Sequence, residues 1–259
     1  MKQLLKKPIL ALISFLVLQA VISFALGMPL LLLSRMFGSD EVAVQAACLS
    51  LTLIASSLVT IYFMQKPLRM IELRTSFPRP NLSLGWGIGL VVASFVGIFA
   101  TNILNELLEL PDLMGETLAS MSGSVLGVLA IGVVGPIAEE VTFRGAIQGW
   151  FHRHGLTPAK SILWASVFFG LMHINPAQIP FAMIVGCILG FLYWRTDSLV
   201  LPCIVHIINN TLACVLMQVV PADLSMVQLL GGTFSAILVA ILCLGLCCAV
   251  LARFAKHCK

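Results

Sequence analysis

Apolar runs of twenty or more residues, separated by short charged segments, constrain this chain more than any other feature. A run of that length suits a helix crossing a lipid bilayer, whose hydrocarbon core is about 30 Å thick. Only 10% of the 259 residues are charged and 59% are apolar, whereas soluble domains carry roughly 25% charged residues. Mean hydropathy is +1.05. So few charges cannot cover a water-facing surface, and the solvent must largely be lipid. The runs predict an all-α polytopic membrane bundle of about eight transmembrane helices, near 8–34, 43–64, 84–106, 120–150, 159–174, 177–195, 198–220 and 227–252. Residues 1–259 form a single transmembrane domain on this reading. The apolar run after Lys7 extends to about Leu33, too long for the apolar region of a signal peptide, and predicts a retained first span.

The charges sort by side. With the N-terminus inside and the spans alternating, Lys2, Lys6, Lys7, Lys66, Arg69, Arg74, Arg79, Arg144, Arg153, Lys160, Arg195, Arg253, Lys256 and Lys259 fall on or near the inner side. Arg35 falls outside, with Asp40, Glu41, Glu106, Glu109, Asp112, Glu116 and Asp223. This is the positive-inside pattern, and it predicts an even span count with both termini cytoplasmic. It also accounts for the net charge of +4 without an acidic partner. No basic tract with interleaved aromatics occurs, which argues against nucleic acid. Short loops suggest a bacterial inner membrane. The eight cysteines include no CxxC pair and read as small apolar residues. Three glycine pairs spaced by four, Gly85/Gly89, Gly123/Gly127 and Gly186/Gly190, predict close helix packing.

An ionisable group within a span is expensive, so each one is a functional candidate. The fourth span carries Gly-Pro-Ile-Ala-Glu-Glu-Val-Thr-Phe-Arg-Gly at 135–145. Glu140 and Arg144 are four apart, which places them on one helical face as an ion pair. Glu139 is turned about 100° away and is the freer carboxylate. Pro136 lacks a backbone donor and disturbs the Gly132 carbonyl, so a kink is expected there. Residues 145–153 are expected to extend beyond the bilayer as an amphipathic end. Phe169-Gly170-Leu171-Met172-His173 ends the fifth span, and His206 and Asn210 share one face of the seventh, with Pro202 one turn before His206. By helical rise Glu139 lies about 21 Å from Arg153, His173 about 20 Å from Lys160 and His206 about 14 Å from Asp197, so all three can share one level.

A carboxylate and an imidazole around one buried water can act as general bases while the water attacks a carbonyl. A second histidine with an in-phase asparagine can donate to the oxyanion. Glu139, His173 and His206 could instead hold a divalent metal such as zinc, although HExxH is absent. A proton-coupled transporter would also use buried Glu and His, and a non-catalytic membrane adaptor or immunity protein would merely retain the residues.

Glu139-Glu140-xxx-Arg144, Phe169-xxx-His173 and His206-xxx-Asn210, in that order, resemble the three motifs of the CAAX-processing and bacteriocin-processing (CPBP, or Abi) family of intramembrane proteases. The resemblance covers about 120–215. It implies an eight-helix fold and a glutamate-dependent endopeptidase. In that family pattern Glu139 and His173 activate water, His206 and Asn210 stabilise the oxyanion, and Glu140, Arg144 and Phe169 support the site. The implied partners are the lipid bilayer and a membrane-embedded or lipidated protein or peptide substrate. The chain's own end, His257-Cys258-Lys259, is no lipidation signal.

Overall fold

A computed structural model describes residues 2–36, 41–221 and 224–257. Asp40, Asp223, Cys258 and Lys259 lie outside the described residues. The described residues form helices without a strand. Only helices satisfy every backbone group within one crossing of a lipid phase, and the sequence contains no alternating pattern for a barrel. Among the described residues, seven helices are long and apolar enough to span a membrane: α1 (Gln3–Leu33), α2 (Val42–Gln65), α3 (Leu84–Glu106), α5 (Val125–Arg153), α7 (Ile179–Thr196), α8 (Val200–Val219) and α9 (Thr233–Lys256). Between them lie a short helix, α4 (Gly115–Ser122), and a shorter apolar one, α6 (Pro158–Leu171).

The expected fifth span, 159–174, is therefore shorter than predicted. Fourteen residues rise about 21 Å, less than the hydrocarbon core. The turn 172–178 follows α6, and there Ala177 N–H donates to Pro111 O and Asn175 reaches Asp112. Pro111 and Asp112 belong to the loop that follows α3. The fourth span also differs. It opens at Val125, because Ser124 caps a new helix by accepting from Gly127 N–H.

Contacts between loops place both termini on one face of the bundle. Trp150 Nε1–H donates to Leu4 O, Lys7 donates to Leu68 O, Arg153 donates to Met70 O, Ser198 donates to Pro78 O and Arg195 donates to Ala255 O. The loop that carries Lys66, Arg69, Arg74 and Arg79 thus meets the start of α1, the end of α5 and the α7–α8 junction, while the ends of α7 and α9 meet each other. Glu106, Glu109, Asp112 and Glu116 lie at the other end of α3.

Helix α9 packs along α3 and α6 along α7, while α5 is surrounded by α1, α2, α6 and α8. Phe143, Ile147 and Phe151 of α5 are fully buried with Phe15, Met64 and Met70. The stretch from Gly145 to Phe151 is consequently not the amphipathic end expected for it. It sits inside the bundle because Gly145 lets Ile71 approach, Gly149 lies under Tyr193, and Gln148 Nε2 donates to Gly190 O at 2.8 Å. The glycine pairs divide. Gly186 and Gly190 face Ser166 and Ile162 at about 3 Å from where a Cβ would stand, and Gly127 faces the Met121 carbonyl. Gly85 and Gly89 face open space, so the packing expected of them is not there.

Candidate active site

Pro136 organises the middle of α5. Without its N–H the helix widens. Residues Ala130–Val134 form a π turn closed by Gly135 N–H to Ala130 O, and a second π segment runs from Val141 to Gln148. Such widenings are frequent at functional sites, and here one lies immediately before Pro136. Two carbonyls beside the proline are taken by α8: Asn210 Nδ2 donates to Ile131 O at 3.3 Å, and Thr211 Oγ1 donates to Gly132 O at 3.4 Å. Gly132 permits this, since a Cβ there would stand 2.7 Å from Thr211 Oγ1. Pro202 creates no break. It lies in the first turn of α8, where its missing N–H has no intrahelical acceptor.

The two π segments flank Gly135–Glu140, the α-helical piece that carries the carboxylates. Arg144 Nη1 lies 3.1 Å from Glu140 Oε1, and both side chains are buried, 1% and 0% exposed. Glu140 does more than pair with Arg144. Its Oε1 also accepts from His206 Nδ1 at 2.8 Å. The other ring nitrogen, Nε2, lies 3.6 Å from Glu139 Oε2. His206, itself buried, is thus held between the adjacent carboxylates. Glu139 is 16% exposed against 0% for Glu140. Its Oε2 has no hydrogen-bond partner, nor does Glu140 Oε2.

Phe169 is the hub of this cluster. Its ring lies edge-on to His173 at 5.0 Å and to His206 at 5.8 Å, and the Arg144 guanidinium stacks 4.2 Å over it. Phe143 packs against its other side at 5.3 Å. One helical turn later His173 Nδ1 lies 2.8 Å from Phe169 O. A carbonyl only accepts, so Nδ1 carries the proton, and in the neutral ring Nε2 holds the lone pair. Gly170 lets α7 approach α6 closely here, because a Cβ would meet Met183 of α7 at 2.4 Å.

His173, His206, Asn210 and Phe169 line a cavity of about 420 Å³ among α3, α7 and α8. Phe95, Ile98, Phe181 and Val185 supply much of its apolar wall. Asn102, Asn105, Gln178 and Asn209 add carboxamides that the sequence reading passed over. Their signal was available, since an amide inside an apolar span is itself a costly group, but uncharged residues stand out less than Glu and His. The cavity reaches from His173 and His206 to the loop bearing Asp112, which also lines it. Zinc lacks a formed ligand set: among the described residues no three His, Cys, Asp or Glu side chains converge as a metal-holding group. The Nδ1 atoms of both histidines are committed to other partners.

Comparison with known proteins points to one family. Residues 121–212 match the model of the Rce1-like type II CAAX prenyl endopeptidases. A Bacillus subtilis protein, YdiL, provisionally named a membrane peptidase, is 29% identical over 116 residues, 42% of this chain and 47% of that protein. An uncharacterised 24.3 kDa protein of Escherichia coli is 29% identical over 140 residues, 51% of this chain and 63% of that protein. The matches therefore span about half to three fifths of these relatives' lengths. No solved structure matches.

Proposed function

We propose, for a chain whose core belongs to the CAAX-processing and bacteriocin-processing family of membrane proteases, that it is an intramembrane endopeptidase in which Glu139 and His173 activate a water. The observation that carries this reading is the cluster itself: Glu139, Glu140 and His206 interlocked inside an apolar bundle, with both histidines opening onto one cavity. Glu139 supplies an acceptor without a protein partner, and His173 supplies an Nε2 lone pair whose direction is fixed through Nδ1. A water between such groups loses a proton as it attacks the scissile carbonyl.

His206 and Asn210 stabilise the oxyanion. His206 is oriented by donation from Nδ1 to Glu140, and its Nε2, 3.6 Å from Glu139 Oε2, is the ring nitrogen left to serve the oxyanion as it forms in a low-dielectric site. Asn210 spends one N–H on Ile131 O and retains a second for the oxyanion. Glu140 and Arg144 neutralise one another and hold the His206 ring. No step requires a metal or other cofactor in this scheme.

The substrate is a membrane-embedded or lipidated protein or peptide that reaches the cavity from the bilayer. The basic residues of the loops support a cytoplasmic face bearing the termini, and the short loops support a bacterial inner membrane. Comparing membrane-protein termini in cells carrying the native chain and Glu139→Ala, at matched expression, tests the reading. A terminus that requires Glu139 is expected. Proton-coupled uptake by the purified protein in liposomes, with no Glu139-dependent terminus, would replace the protease with a carrier.

A further inference from the structure

Just beyond His173 the backbone does something its residues resist. Ile174 has φ 60°, in the left-handed region where a β-branched side chain is sterically disfavoured. It gains nothing from burial, being 68% exposed. The next residue, Asn175, is the reverse: a polar side chain only 2% exposed.

Asn175 is held from three sides. Its Nδ2 donates to Asp112 Oδ1 at 2.8 Å, and its Oδ1 accepts from Leu113 N–H at 3.0 Å. Its own N–H donates to His173 O at 2.6 Å, closing the turn around Ile174. Asp112 is fixed in return, since Oδ1 also accepts from Met114 and Gly115 N–H, each at 3.0 Å. Two further bonds tie the same segments: Ala177 N–H to Pro111 O at 3.3 Å, and Asn105 Nδ2 to Ala177 O at 2.8 Å.

We infer that Asp112 and Asn175 are positioning residues for His173, forming a clasp between the loop after α3 and the turn after α6 that holds the strained backbone and so fixes the His173 ring toward the cavity. Helix α6 ends before the turn and α7 begins after it, so the strained residue lies in neither. The bonds that close it onto the rest of the bundle come from Asn105 and 111–113. Asp112 lines the same cavity as His173, so the clasp also roofs the space in which substrate would lie. Asp112 works as an acceptor here, not as a charge, since all three of its partners are neutral N–H groups.

The inference deepens the protease reading and rests on His173 having a role in it, but its test does not use cleavage. Full-length protein labelled with ¹⁵N-histidine is placed in phospholipid nanodiscs, and the His173 ring resonances are assigned by their loss in His173→Gln. The native chain shows one neutral tautomer, protonated at Nδ1. Asp112→Ala exchanges both ring nitrogens between tautomers and loses the single Nδ1–H signal. Asp112→Asn, which keeps the acceptor, retains it. Adding Ile174→Gly to Asp112→Ala, which removes the steric objection to the left-handed turn, restores it. If Asp112→Ala does not yield monodisperse protein, Asn175→Ser removes the same side-chain bonds. A folded Asp112→Ala or Asn175→Ser whose His173 signal matches the native chain overturns the clasp. Failure to find Glu139-dependent cleavage, with the clasp result intact, overturns only the protease.

Discussion

Two clusters of acid chemistry in this bundle are built on opposite rules. At the end of α3, Glu106 accepts from Ser225 Oγ and from the backbone N–H groups of Met226 and Val227. Both its oxygens are used, and it caps the helical turn Met226–Leu229. In the middle of α5, Glu139 and Glu140 flank one histidine, Glu140 alone pairs with Arg144, and each carboxylate retains an oxygen without a partner. A carboxylate surrounded by donors is a structural fixture, since donors satisfied in the resting state leave nothing for a reactant. A carboxylate left short of donors inside a protein is costly, and that cost is sensible only where a water or substrate completes the site.

That contrast can be broken by substitution. Glu139→Gln should reduce Glu139-dependent cleavage about a thousandfold, within the range expected of a lost general base, while the thermal midpoint in detergent stays near native. A folded Glu139→Gln that still cleaves would end the assignment. Arg144→Met removes one partner of a buried pair and should destabilise the protein by about 3–5 kcal/mol, read as a lowered unfolding midpoint. An unchanged midpoint would mean Glu140 is held by His206 alone. Asn210→Ala should cost about a hundredfold in cleavage as an oxyanion donor is lost. An equal loss in Thr211→Val, which removes only the bond to Gly132 O, would reassign Asn210 to holding α5.

Glu106→Gln should be milder. One oxygen still accepts, so a loss of about 1 kcal/mol, the usual scale for a helix cap, is expected with cleavage unchanged in the folded fraction. Reduced cleavage at native stability would join the two clusters after all. The smallest effect is that of 1,10-phenanthroline, which should leave cleavage unaltered. Inhibition reversed by added zinc would restore the metal reading of Glu139, His173 and His206.

Much of the bundle was legible because membrane helices announce themselves through length and polarity alone. The residues of the cluster were legible for the same reason, as Glu139, Glu140, Arg144 and His206 are costly in lipid and helical spacing fixes which can meet. Other features were hidden by local arithmetic. Residues 145–151 look amphipathic in isolation, yet are buried because Ile71 and Tyr193 arrive from other segments. Pro136 advertised a disturbed helix, but the partners that settle its carbonyls, Asn210 and Thr211, lie some 75 positions on in α8. Asn102 and Asn105 gave weak signals because an amide carries no charge.

The sequence by itself determined that the chain is a helical membrane bundle and which of its residues are too costly to be idle, because the energies of lipid burial and helical periodicity act within one segment. Tertiary structure decided that His206 sits between two carboxylates rather than beside one, that Asp112 reaches Asn175, and that α6 can be short. Those facts depend on distances between segments far apart in the chain, which only the packing of α3, α5, α6 and α8 against one another sets.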